Sequence, residues 1–247
     1  MERYLRQIIL PEIGEIGQRK ITQTSVLIVG VGGLGSAVTT YLCAAGIGRI
    51  GLADADTVSL SNLQRQVLYN EQEIGKSKTE MAKHHLSQLN STIQIDTYPV
   101  FLDKKNIKSI VNQYDIIVDT SDNFPCRFLI NDACVQLGKP FVYGAISNLQ
   151  GQLSVFNVDN NSATYRCLFP DEATLLALPR KTIPVLGILP GVIGCMQAGE
   201  VLKWAVGYGK LLKNTLCCLN LSDNTTAHFA IVPTEEGRKM SMQTILG

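Results

Sequence analysis

Ser25-Val-Leu-Ile-Val-Gly30-Val-Gly32-Gly33-Leu-Gly35-Ser-Ala-Val-Thr-Thr-Tyr-Leu-Cys-Ala-Ala-Gly46 is the stretch that decides the fold. A short apolar run leads into four glycines within six residues. A helical pattern of Ala37, Val38, Tyr41, Leu42 and Ala45 follows, until Gly46 stops it. That order predicts strand, tight turn and helix. Glycine suits the turn because a side chain there would keep a phosphate from the free N–H groups at the helix start. A tight strand-to-helix turn with no ligand fits the same residues, so the turn does not establish a site by itself.

The next segment extends the pattern. Residues 49–54 read as a second strand ending on Asp54, about 20 residues beyond the glycines, where dinucleotide folds place an acid that accepts from ribose hydroxyls. A polar stretch then carries Asp56, Asn62, Arg65 and Gln66, and Lys76 and Lys78 open a helix that runs through Leu89. Clustered cations beside a phosphate turn suit a reaction at a triphosphate, where charge builds on the α-phosphate and on the leaving pyrophosphate. Hydride transfer needs no such cluster.

Composition narrows the classes. The 247 residues are 45% hydrophobic, enough for a full core, and favour one domain. Lysine plus arginine number 22 against 21 aspartate plus glutamate, which leaves no broad basic field for nucleic acid and no polybasic membrane anchor. The N-terminus is charged, and the longest apolar run is short and contains Pro190, so a cytoplasmic protein is expected. Seven cysteines without a regular spacing argue for reduced thiols.

Along the rest of the chain, residues 3–20 read as an amphipathic entry arm carrying Arg3 and Arg6. A strand at 93–98, a helix at 104–112 and a buried strand at 114–119 come after the lysine helix. The last of these runs into Asp122 and Asn123, ahead of a helix over 124–137. Asp122 suits either a hard cation such as magnesium or the cap of that helix. From Pro140 the pattern changes to strands at 141–145, 151–157 and 164–168, a polar loop over 170–184, an apolar helix over 185–206, and closing strands at 215–221 and 226–232. The expected fold class is α/β: a Rossmann-like, mainly parallel sheet continued by antiparallel strands, with helices on both faces. Within one domain of 1–247, residues 1–20 form the arm, 21–146 the nucleotide-binding part, and 147–247 the antiparallel extension, substrate loop and dimer helix.

Taken together, Arg3-Tyr4-x-Arg6-Gln7, Gly30-x-Gly32-Gly33-x-Gly35, Asp54-x-Asp56, Ser61-Asn62-Leu63-x-Arg65-Gln66 and Gly75-Lys76-x-Lys78 form one series of motifs. Asp122-Asn123-x-x-x-Arg127, Gly151-Gln152, Tyr165-Arg166-Cys167 and Leu189-Pro190-Gly191 continue it. The series resembles the ThiF/MoeB/HesA family, the bacterial relatives of ubiquitin-activating enzymes, from Arg3 to about Gly209. The resemblance implies an adenylyltransferase that uses ATP and Mg2+ to activate the C-terminal Gly-Gly carboxylate of a small ubiquitin-like sulfur carrier protein. It assigns Gly33 to the phosphate turn, Asp54 to the ribose, and Asn62, Arg65, Gln66 and Lys78 to the phosphates. Gly30, Gly32, Asp56 and Asn123 complete the ATP set, and Asp122 takes the magnesium. Arg6 matches the arginine that family dimers lend to the neighbouring subunit, which implies a homodimer.

Two departures stand out. Family members commonly carry two Cys-x-x-Cys pairs for a structural zinc, whereas here Thr164 precedes Cys167 and no cysteine follows Cys218, so no zinc is expected. Relatives also place a cysteine in the loop near Arg180, and none occurs between Asp171 and Gly194. The adenylate is then expected to pass to another protein or a small nucleophile; Arg180 and Lys181 read first as solvated loop charges, with contact to the incoming tail or the nucleotide as the alternative. Other readings are an adenylating enzyme for a peptide C-terminus or a modified nucleoside, a non-catalytic binder of a ubiquitin-like protein, and an NAD-dependent oxidoreductase.

Overall fold

In the computed structural model, which describes residues 2–179 and 183–243, the two-residue alternation of each inner strand serves two separate cores. The strands are β1 (Ser25–Val29), β2 (Arg49–Ala53), β3 (Gln94–Tyr98), β4 (Ile116–Asp119), β5 (Phe141–Ser147), β6 (Gln150–Phe156), β7 (Thr215–Asn220) and β8 (Thr225–Ala230). The helices are α1 (Leu5–Ile8), α2 (Gly14–Gln23), α3 (Gly33–Ala45), α4 (Lys78–Leu89), α5 (Ile107–Val111), α6 (Phe124–Leu137), α7 (Tyr165–Leu168), α8 (Glu172–Ala177), α9 (Ile188–Val206) and α10 (Glu235–Gln243). Val26 and Ile28 of β1 face one core with Leu42, Leu86 and Val201, while Leu27 and Val29 face the other with Ile110, Phe128 and Tyr165. Both faces are covered, which is why β1 and β4 read as continuous apolar runs.

The eight strands form one sheet in the order β3-β2-β1-β4-β5-β6-β7-β8. Pairing is parallel from β3 to β5 and antiparallel from β5 to β8. The chain runs outward from β1 to β3 and then returns to lay β4 on the other side of β1. The carboxyl ends of β1 and β4 therefore border the crevice where open α/β sheets bind ligands. The expected fold class is observed.

Several expectations for individual elements need correction. Residues 164–168 are helical: the Tyr165 amide donates to the Asn131 side chain at 2.8 Å, and Cys167 N donates to Thr164 O at 3.0 Å. These tertiary partners override a strand-like sequence. The loop expected over 170–184 contains α8, capped by Asp171, whose Oδ1 accepts from Thr174 N at 3.0 Å. The apolar helix starts at Ile188 because Val185 bridges to Asn148 of the β5–β6 turn. The entry arm is two helices, separated around Pro11 and Gly14, the latter at φ +58°. Cys217 and Cys218 face opposite cores, as neighbouring residues of a strand must.

Candidate active site

The glycine turn is enforced by contact from several sides. Gly30 sits at φ +94°, and a Cβ there would lie 2.9 Å from Thr120 O; at Gly35 it would lie 2.2 Å from Gly30 O. A Cβ on Gly33 would meet Pro190 of α9 at 3.0 Å, and one on Gly32 would come within 3.4 Å of Gln66 Nε2. The turn thus sits between β4, α9 and the loop of Arg65 and Gln66. Its free N–H groups open the 13-residue α3, the terminus that favours an anion.

Asp54 closes the other side of the turn. Its Oδ2 accepts from Val31 N and its Oδ1 from Asp56 N, both at 2.8 Å. Lys78, at the start of α4, is only 4% exposed, yet its Nζ reaches Asp56 Oδ2 at 3.0 Å, and the Asp56 side chain is 58% exposed. A buried ammonium with one surface partner can be redirected to a phosphate at little cost. Tyr69, which sequence reasoning passed over, ties these pieces together: its hydroxyl donates to Val31 O at 2.8 Å and lies 3.3 Å from Lys78 O. Burial pushes its phenol far above the ordinary value. An aromatic within an apolar-looking Val-Leu-Tyr run gave no signal of this role.

Asn62 ends a 3-10 turn, Leu60–Asn62, and its carbonyl accepts from Arg65 N and Gln66 N, both at 3.0 Å. Arg65 Nη1 donates to Ser61 O at 2.9 Å. Gln66 is 5% exposed and turns its Nε2, a donor suited to a phosphate oxygen, toward the glycine turn, while its Oε1 has no partner among the described residues. Lys76 stays outside α4 and is exposed.

Asp122 follows β4, is exposed, and has one side-chain contact, Asn123 Nδ2 at 3.2 Å. The helix cap is Asn123, whose Oδ1 accepts from Cys126 N at 3.0 Å, so Asp122 is released from capping. Arg6 does not join this cluster. The residues either side of it dock at the far end of α3: Tyr4 packs on Gly46, and Gln7 Nε2 donates to Ala45 O at 3.1 Å. A helix of 13 residues spans about 20 Å. Arg180 and Lys181 lie outside the described residues.

The residues do not fit a structural zinc. Thr164, Thr234 and Gly237 converge on Cys167, whose sulfur lies 3.3 Å from Thr164 N, 3.4 Å from Thr234 N and 3.5 Å from Thr234 Oγ1. A Cβ on Gly237 would be 2.9 Å from the same sulfur. Burial raises the thiol, and hydrogen bonds from Thr164 and Thr234 outweigh it, leaving Cys167 below its ordinary value. A single cysteine sulfur among hydroxyls and a glycine is not a tetrahedral soft-donor set. Among the described residues, no group of three or more His, Cys, Asp or Glu is placed to hold a metal ion. Nor is any described helix long and apolar enough to cross a membrane.

Fold and site define a Rossmann-like α/β enzyme of the ATP-dependent adenylating class. The ThiF family model matches residues 4–240, and the chain belongs to that family. A sulfur carrier protein adenylyltransferase of Thermus thermophilus is 45% identical over 221 residues, 87% of this chain and 82% of that protein. The maize adenylyltransferase and sulfurtransferase MOCS3-1 is 46% identical over 211 residues, 85% of this chain but only 45% of that one. Among solved structures, E. coli MccB with ATP superposes at TM-score 0.85 and 26% identity, covering 95% of this chain and 73% of that one.

Proposed function

We propose that the protein adenylates the C-terminal Gly-Gly carboxylate of a small ubiquitin-like sulfur carrier protein. The observation that carries the reading is the position of Lys78, a nearly buried ammonium beside the glycine turn whose one counter-charge, Asp56, is at the surface. A carboxylate oxygen forms a bond to the α-phosphorus of ATP, the α–β bridging P–O bond breaks, and pyrophosphate leaves with the electron pair. The attacking carboxylate is already ionised, so no general base is needed. The work left to the protein is alignment and charge neutralisation.

In this reading the N–H groups after Gly32 and Gly33 hold phosphate, and Asp54 receives the ribose. Asn62, Arg65, Gln66 and Lys78 face the phosphate chain, with Asp56 steering the lysine until ATP arrives. Asp122 supplies one carboxylate oxygen to magnesium, an ion that commonly takes one or two carboxylates and completes its shell with substrate phosphates and water. Bound there, the ion would neutralise charge on the phosphates. The experiment is intact-mass analysis of a purified Gly-Gly carrier after incubation with enzyme and ATP. A product heavier by one adenylyl group supports the reading, and an unmodified carrier contradicts it.

The reading extends to a homodimer. Arg6 is exposed on α1 among the exposed apolar residues Leu5, Ile9, Leu10 and Ile16, at the opposite end of α3 from the glycine turn of its own chain. Pairing of these arms would cover the apolar face and carry Arg6 to the neighbour's ATP. Arg6→Ala and Lys78→Ala proteins are each expected to be inactive alone and to regain adenylation when their subunits are exchanged, since a mixed dimer has one complete site. A mixture that exchanges subunits and stays inactive contradicts the lending.

Zinc is not part of this proposal. Purified protein is expected to carry far less than one zinc per chain by elemental analysis, because Cys167 is satisfied by Thr164 and Thr234. About one zinc per chain would contradict it.

A peptide carboxylate is the second reading, since E. coli MccB, 26% identical, was solved with AMPCPP and MccA; the 45% identity to the sulfur carrier protein adenylyltransferase favours the carrier.

A further inference from the structure

We infer that Arg127 is a positioning residue for Asp122, acting through the buried carboxylate of Asp119 and the backbone of Ser121. The inference rests on the reading of Asp122 as the acid at the reacting phosphates. It begins with an acid that this reading leaves unused. Asp119 ends β4 with no exposed surface, its Oδ1 accepting from Ser121 N at 3.0 Å and Ser121 Oγ at 2.6 Å, while its Oδ2 has no hydrogen-bond partner among the described residues. A carboxylate stripped of water in this way needs a nearby cation or it takes up a proton.

Arg127 brings a cation to the same turn, sharing Ser121 with Asp119 rather than bonding to it directly. It lies on the first turns of α6, and its guanidinium carbon lies 5.6 Å from the ring centres of both Phe124 and Tyr143. Its Nη2 donates to Ser121 O at 3.1 Å, and its Nε is buried without a partner. Burial pushes Asp119 up, and the charge of Arg127 is the first influence that opposes it. Ser121 is therefore held on both sides of its α-carbon: N–H and hydroxyl on Asp119, carbonyl on Arg127.

Asp122 is the next residue. Among the described residues its side chain hydrogen-bonds only the adjacent Asn123, so its aim comes from the backbone. That backbone is set by Asp119 and Arg127, two buried side chains of opposite charge that grip Ser121 from either side rather than each other. Removing the arginine leaves Asp119 uncompensated and the Ser121 carbonyl free, and the turn bearing Asp122 loses both restraints.

The test measures ATP–pyrophosphate exchange against magnesium concentration, with thermal unfolding alongside, for Arg127→Met, Arg127→Lys, Asp119→Asn, the double Arg127→Met/Asp119→Asn, and Asp122→Asn. Loss of a group that orients a metal-binding residue is expected to lower activity or metal affinity about 10–100-fold. Arg127→Met should show that loss together with a higher magnesium requirement. The double variant should exceed Arg127→Met in activity, because no unpaired buried charge remains. If Arg127→Met does not fold, Arg127→Lys keeps the charge but not the planar fork, and should fold with a raised magnesium requirement. Unchanged magnesium dependence in both Arg127 variants, with only the melting temperature lowered, would overturn the inference and leave Asp122 standing. So would a double variant whose loss equals the product of the two single losses. Full activity of Asp122→Asn would overturn the inference together with the reading beneath it.

Discussion

Lys78→Ala is expected to slow carboxylate adenylation at least about 100-fold, the scale seen when one preorganised donor to developing charge is removed. The fold should survive. The lysine's ion-pair partner, Asp56, is 58% exposed, so truncation leaves its carboxylate in water, and the rest of α4 keeps Thr79, Ala82 and Leu86 in the core. Removing a buried ammonium also removes its desolvation penalty. The outcome is read as exchange rate and melting temperature on the same preparation. An unmelted protein with near wild-type exchange would refute the role of Lys78. Asp122→Ala should behave alike, since Asp122 is exposed and its carboxylate accepts from Asn123, the residue beside it.

The largest effect on stability is expected from a residue that does no chemistry. Arg166 is 1% exposed and lies on α7, with Nε and Nη2 each 2.8 Å from an oxygen of Asp132 on α6. Its Nη1 is 2.8 Å from Glu172 at the start of α8, and its guanidinium carbon sits 4.8 Å from the centre of the Phe128 ring. One arginine therefore joins three helices. Arg166→Met leaves Asp132, itself 1% exposed, as a buried charge without its partner, a change that costs about 3–5 kcal/mol. At roughly 2–4 °C per kcal/mol for a domain of this size, the melting temperature should fall by about 10 °C. Adding Asp132→Asn should recover part of the loss, because the stranded charge is then gone. A single variant that melts within about 2 °C of wild type would contradict the role of the pair.

The parts of this protein legible in its sequence are those in which neighbours along the chain are also neighbours in space. The run into Gly30, the glycine spacing and the apolar face of α3 are local, and β1, its turn and α3 follow from them. Asp54, directly after β2, and Asp122, in the short turn after β4, were legible for the same reason. Residues 164–168 were not, because their helix depends on Asn131, more than thirty positions away. Tyr69 carried no signal in the sequence, and only the fold shows its hydroxyl bridging the glycine turn and α4. The surroundings of Cys167 were half legible: Thr164 lies three residues before it, but Thr234 and Gly237 reach it only when the chain after β8 returns to α7. The Asp119–Arg127 pair stayed hidden because a strand-end acid and a helix arginine carry no mark of being buried together.

The most direct measurement of the central claim is exchange of labelled pyrophosphate into ATP, with magnesium, in the presence and absence of purified Gly-Gly carrier proteins. Exchange that requires a carrier, and that disappears when the carrier's terminal glycine is deleted, is the predicted result. A protein that binds ATP yet shows no exchange with any such carrier would contradict the assignment of its substrate.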